Sequence, residues 1–264
     1  MPSATTCPWQ RRALLTCIAA LSFAQASEAE AQPGAATQDD DRSWPVENDD
    51  PAADYGLMAP TGILQPKNAI TFHDRMVLIP AFTVSPSSRF QFTLLTALAP
   101  GLSLGAEFKI GLIRRNGWHV ALSGHAGAFL GLAINIGLGG AFGGVTATRC
   151  LGPSCDTMLT GSLMGGRYSI GSTDTSEHHS GLYAAAAVQK RVTGRYRLLL
   201  ESQGFFDRNN GYVLTLAGVR LHGRRTAVDL GILVTLHDQG GWHVVEGLMG
   251  PVTMPCLNLT HRWE

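Results

Sequence analysis

From Leu102 the chain alternates with a strict period of two. Leu102, Leu104, Ala106, Phe108, Ile110 and Leu112 are apolar, while Ser103, Gly105, Glu107, Lys109 and Gly111 between them are polar or small. Successive side chains of a strand point to opposite faces, whereas a helix would scatter these residues around its surface. The split recurs in Phe90, Phe92, Leu94 against Arg89, Gln91, Thr93, and in Trp118, Val120, Leu122 against His119, Ala121, Ser123, His125. It returns in Leu132, Ile134, Ile136, Leu138 against Ala133, Asn135, Gly137, Gly139, and in Val228, Leu230, Ile232, Val234 against Asp229, Gly231. Such a chain is confined to an all-β fold whose sheet has one apolar and one polar or small-residue face.

Strand length narrows the class. Strands of soluble proteins usually run to about five or six residues, and these runs approach the length of a tilted strand crossing a bilayer. The segments fall at 69–84, 89–98, 101–113, 118–130, 132–147, 157–170, 181–192, 195–206, 211–222, 225–236 and 252–263. Short breaks at 86–88, 114–117, 193–194 and 223–225 alternate with longer ones at 171–180 and 237–250. Short turns on one side and longer loops on the other predict an up-and-down antiparallel transmembrane β-barrel. Single-chain bacterial barrels have an even strand number. A twelfth strand arises if 69–84 is broken near His73-Asp74-Arg75 or if Tyr55–Ile63 adds one; ten is the alternative count.

Asn116 to Thr148 lacks Asp, Glu, Lys and Arg, which imitates a transmembrane helix in hydropathy. Nine of those residues are glycine, each costing a helix roughly 1 kcal/mol. Two strands joined near Gly131 fit better, with glycine expected on the inward face, where small residues leave room for large ones opposite.

The amino terminus has a different character. Arg11 and Arg12 precede an apolar run from Ala13, followed by small residues at Ala24, Ala26 and Ala29, the order of a secretory signal peptide. The run falls short of the ~20 apolar residues of a spanning helix, so residues 1–31 are expected to be removed, after Ala26 or Ala31. Residues 32–55 hold seven acids against Arg42 alone and little to bury, and are expected to form an acidic disordered linker. Residues 56–264, the expected barrel, then carry 17 basic against 11 acidic residues although the whole chain is neutral. Neutrality gives no signal for nucleic acid. In an oxidising compartment Cys150 and Cys155 are candidates for a disulfide across a short loop, with two free thiols as the other possibility.

The last strand ends Leu257, Leu259, His261, Trp263 in alternation with Asn258, Thr260 and Arg262. This resembles the C-terminal aromatic signal read by the bacterial barrel-assembly machinery, with the Trp here penultimate, and the outer-membrane bilayer is the other expected partner. Further motifs are Met58-Ala59-Pro60-Thr61, Gly218-Val219-Arg220, the basic turn Arg224-Arg225, and Val228-Asp229-Leu230-Gly231. On these the chain resembles a group of outer-membrane β-barrel proteins of Gram-negative bacteria whose activity is undefined. The resemblance implies architecture and offers no catalytic residues.

Alternation turns Glu107, Lys109, His119, His125, Arg191, Arg197, Glu201, Gln203, Arg220, Asp229 and Arg262 towards the lumen. In an interior too narrow for much water such groups must pair, which predicts a polar network. The function expected is that of an integral outer-membrane protein acting structurally or through its loops. A narrow, porin-like path for small solutes, anions among them, is the alternative, and a soluble secreted β protein lies outside both. Ser123 with His125 or His119 is the visible candidate for catalysis, but residues two apart on one strand face stand ~7 Å apart, and no enzyme is expected. Adjacent His178 and His179 point apart, Cys-x-x-Cys pairs are absent, and no metal or cofactor is expected.

Overall fold

The structure, a computed structural model, describes residues 50–75, 79–97, 102–131, 136–152, 154–171, 176–208, 211–237 and 253–263. The signal segment and most of the linker lie outside them. Twelve strands follow in order: β1 (Ile70–Arg75), β2 (Ile79–Ser87), β3 (Phe90–Ala97), β4 (Leu102–Arg115), β5 (Trp118–Gly131), β6 (Ile136–Leu151), β7 (Thr157–Gly171), β8 (Ser176–Arg191), β9 (Tyr196–Phe206), β10 (Gly211–His222), β11 (Thr226–His237) and β12 (Thr253–Trp263). Each pairs antiparallel with its sequence neighbours. β1 also pairs with β12, Ile70 opposite Trp263 and Asp74 opposite Leu259, so the sheet is a closed barrel. Closure satisfies every strand edge, which hydrocarbon, lacking water, requires. The expected segment 69–84 is two strands, whereas Tyr55–Ile63 joins no strand and makes an isolated bridge between Tyr55 and Pro60.

One barrel end, here the near rim, carries the turns at 88–89, 116–117, 152–156, 192–195 and 223–225, together with the start of β1 and the end of β12. Asn116 and Gly117 both have positive φ, the requirement of a two-residue hairpin turn. A Cβ on Gly117 would also stand 2.8 Å from the Cys150 carbonyl. The far rim joins β11 to β12 through the longest connection, 238–252, and the other strand pairs through three or four residues each.

Alternation sets the faces. Phe82, Leu94, Leu104, Ile110, Leu122, Leu198, Leu200, Leu230, Ile232, Leu257 and Leu259 point outward and are exposed, Leu104 by 67% and Leu230 by 61%. Large aliphatic side chains distributed this way around a whole circumference form the lipid-facing belt of a transmembrane barrel. Thr71, Thr83, Gln91, Thr93, Ser123, Thr146, Thr160, Gln189 and Asn258 are buried on the opposite face.

Three expectations need correction. Asp50–Tyr55, assigned to the disordered linker, are buried inside the barrel, because their acids find cationic partners there. In β6 the pairing runs without a register shift, so Leu138 shares the lumen face with Phe142, Thr146 and Thr148, not the lipid face. The stretch 132–135, which suggested the other phase, lies outside the described residues. Glycine is not confined to the inward face either: Gly124 points outward beneath Phe108, whose ring lies where a Cβ would stand.

Leu230→Arg places a charge on the outward face near mid-strand of β11. In vesicles the folded barrel should lose about 2–4 kcal/mol, read from denaturant titration of the heat-modifiable form. A soluble barrel would lose almost nothing at so exposed a position.

Candidate functional site

The near half of the lumen is filled by the chain itself. Residues 50–69 enter at the near rim, turn back within the barrel and leave at the same rim, where Asn68 N–H donates to Ser85 carbonyl at 2.6 Å. Asp50, Ala52, Asp54, Tyr55, Leu57, Ala59, Thr61 and Gln65 are all buried. Gly56 N–H donates to Ala59 carbonyl (2.8 Å) and Thr61 N–H to Asp54 carbonyl (2.9 Å), closing a small hairpin-like turn with Leu57–Met58 at its tip.

Arg220 of β10 holds one side of this plug. Its Nε and Nη2 grip the carboxylate of Asp229 at 2.6 and 2.9 Å. Its Nη1 reaches Asp50 at 3.2 Å and the carbonyl of Ala52 at 2.8 Å, while Nη2 also donates to Gly56 carbonyl at 2.8 Å. A planar guanidinium has five donors in a fixed fork, and here they bind a wall acid, a plug acid and the plug backbone together. Arg197 of β9 adds a second cation 3.6 Å from Asp50. Burial raises the pKa of Asp50, but Arg220 and Arg197 outweigh it and hold the carboxyl below its ordinary value.

The tip of the turn meets Glu201 of β9. Three successive backbone N–H groups, of Leu57, Met58 and Ala59, donate to its carboxylate at 2.9, 3.2 and 2.8 Å. Such a run of amides is an anion-binding nest, so a buried acid is satisfied chiefly by backbone, with the Gln203 side-chain amide adding a longer bond at 3.4 Å. A Cβ on Gly56 would clash with the same carboxylate, and Asn258 of β12 donates to Leu57 carbonyl at 2.8 Å. Leu57 and Met58 pack against Leu199, Leu214, Leu216, Leu233 and Cys256, the last a buried free thiol.

Across the lumen Asp54 and Tyr55 engage β1, β3 and β4. Gln91 and Gln65 each donate to Asp54 at 2.7 Å, and the Lys109 ammonium donates to Asp54 carbonyl. The Tyr55 hydroxyl donates to Glu107, which also pairs with Arg75 at 3.2 Å and His125 at 3.2 Å. Arg75 and Lys109 stand 4.0 and 4.1 Å from the Tyr55 ring centre, a cation–π clamp. Burial and then the Glu107 charge push the Tyr55 phenol well above its ordinary pKa, so it stays a donor.

The inward residues expected from alternation thus divide. Glu107, Lys109, Arg197, Glu201, Arg220 and Asp229 converge on the plug, and His125 joins through Glu107. His119 is buried and presents its carbonyl to Gly62, where a Cβ would stand 2.2 Å away. Arg191 lies apart, 3.8 Å from Asp156, and Arg262 donates to Arg224 carbonyl at the near rim. A disulfide joins Cys150 to Cys155 and packs with Met158 on Ala53 and Ile63 of the plug. Leu257, Leu259 and Trp263 face outward on β12. Ser123 turns its hydroxyl to Thr146 at 3.3 Å while His125 turns to Glu107, so the two are not brought together.

No protein-family model matches the chain, and no curated protein does. Among solved structures it is similar to the NanC porin, at a TM-score of 0.47 and 8% identity over 74% of this chain and 97% of that one. It is also similar to LpxR from Salmonella typhimurium, at a TM-score of 0.41 and 8% identity over 74% of this chain and 98% of that one.

Removing one partner of a buried charge network strands the others. Arg220→Met should cost about 3–5 kcal/mol and open residues 50–65 to protease from the near rim. Asp50, with its lowered pKa, contributes fully above the ordinary carboxylate range and loses that contribution only as pH falls through its folded value. Plug protection should therefore hold at neutral pH and decline only in acid, read by proteolysis across a pH series.

Proposed function

We propose that the protein is an integral outer-membrane barrel closed by its own N-terminal plug, acting through its wall and far-rim loops and not as an open pore. The observation that carries this reading is the placement of residues 50–65 in the lumen, bound to five strands of the wall by Arg220, Glu201, Asn258, Gln91 and Lys109. A path for solutes would require this segment to leave, and leaving would uncover Arg197, Arg220 and Glu201 to water or to one another. The lipid-facing belt and the short near-rim turns support a bacterial outer-membrane setting with the near rim periplasmic. The expected loop at 237–250 lies, beyond His237, outside the described residues. The loop expected at 171–180 is shorter, since 176–180 belong to β8.

Purified full-length protein in planar bilayers should be silent. A chain lacking residues 50–65 should show discrete conductance steps if it folds, and Arg220→Ala should show intermittent ones. Steady conductance by the intact chain would reject the closed reading.

A further inference from the structure

The near rim carries a charge asymmetry that the plug does not use. Arg89, Arg114, Arg115, Arg195, Arg224 and Arg225 are exposed there, spaced over the turns that join β2 to β3, β4 to β5, β8 to β9 and β10 to β11. Among the described residues the exposed acid at this rim is Asp156, already 3.8 Å from Arg191. The cations therefore form a collar around much of the circumference.

An independent feature fixes the depth of this collar. Phe90, Trp118 and Tyr196 are the first residues of β3, β5 and β9, Trp263 is the last of β12, and all four point outward and are exposed. Aromatic rings set at the ends of spanning strands form a girdle at the membrane interface. Each ring lies within a few residues of a collar arginine: Arg89 precedes Phe90, Arg195 precedes Tyr196, Arg115 pairs across the strands with Trp118, and the Arg225 carbonyl accepts from the N–H of Arg262, next to Trp263. Arg149 stands 5.3 Å over the Trp118 ring. Arg89 and Arg195 thus sit one step beyond the aromatic girdle, while Arg115 is level with it and Arg114 and Arg225 lie within one residue of it, so the collar shares the girdle's depth at the membrane interface.

From this placement we infer that the near rim is a binding collar for anionic glycerophospholipid headgroups, the phosphate of each lipid held by collar arginines while its chains lie against the aromatic girdle. Guanidinium groups suit the task because they bind phosphate through paired parallel donors. With Asp156 the one exposed acid among the described residues of this rim, the six cations also gain more from an anionic surface than from a zwitterionic one. The inference rests on the transmembrane reading above.

The aromatic girdle supplies the probe. In a Trp44→Phe/Trp242→Phe chain the remaining tryptophans of the mature protein are Trp118 and Trp263, both at the collar. The protein would be refolded into phosphatidylcholine vesicles doped with brominated phosphatidylcholine or brominated phosphatidylglycerol. Quenching by brominated phosphatidylcholine alone tests insertion, and its absence would reject the transmembrane reading. Given insertion, brominated phosphatidylglycerol should quench at several-fold lower content, about fivefold if one arginine contributes as a surface cation does. The advantage should shrink in high salt and disappear in Arg114→Gln/Arg115→Gln/Arg224→Gln/Arg225→Gln, while Arg167→Gln/Arg208→Gln towards the far rim should retain it. Equal quenching by the two lipids in the unaltered collar would overturn the inference. So would inorganic phosphate abolishing the advantage where sodium chloride of equal ionic strength does not, since the collar would then be a site for the free ion.

Discussion

A buried guanidinium cannot be left without carboxylates, and the interior of this barrel is arranged around that requirement at Arg220. Its side chain is almost wholly buried and its donors are divided between Asp229 on the neighbouring strand and Asp50, Ala52 and Gly56 on the plug. Asp229 alone would satisfy one edge of the fork and leave the rest in a medium of low dielectric. The plug provides what the wall lacks. Arg197 repeats the logic with Asp50, and Lys109 with the backbone of Asp54. Glu201 inverts it: a wall acid is satisfied chiefly by plug amides, helped by the neighbouring Gln203 amide, with no cation among the described residues in hydrogen-bond contact. Charges on the wall and dipoles on the plug are therefore mutually dependent, and neither forms a satisfied interior alone.

The wall was legible in the sequence because its signal is local. Strict alternation at Leu102–Leu112 and Val228–Val234 fixes both strand and face, and a lumen-facing Glu107 or Arg220 follows from parity. Closure and the count of twelve were legible too, through strand length and the even-number rule. The plug was not. Asp50 and Asp54 sit in a stretch whose composition resembles a solvated tail, and composition carries no information about which charges lie opposite. One clue was present: a structured region with six more basic than acidic residues and several inward arginines lacks enough acids of its own. Gln91 and Asn258 take their roles from Asp54, Gln65 and Leu57 of the plug, and Arg75 from Glu107 and the Tyr55 ring, partners that no spacing within a strand foretells. The phase of β6 failed for a related reason, since a glycine- and alanine-rich strand has weak contrast between its faces.

Glycine has two uses in this barrel. At Gly62 it lets the plug backbone approach the carbonyl of His119 closer than any side chain would allow. At Gly124 it leaves a shallow seat on the outer surface that Phe108 occupies from the adjacent strand. The first serves the packing of the lumen, the second the smoothness of the surface that lipid chains meet. At both positions the missing side chain is replaced by a close neighbour, which keeps a glycine in the packed fold from leaving a void.

The seam between β1 and β12 joins residues from opposite ends of the folded chain, Thr71 beside Arg262. Since the plug immediately precedes β1, it is synthesised before any part of the wall, and the wall's last strand is the one that shuts the cylinder. A segment anchored at both ends on the same rim can be enclosed without threading through a finished ring. Its bonds to β9 and β10 tie the stretch before β1 to strands far along the chain, which shortens the loop that the β1–β12 seam closes and so the entropy that closure costs. The residues that fill the near half of the lumen thus serve as an internal brace between strands far apart in the chain.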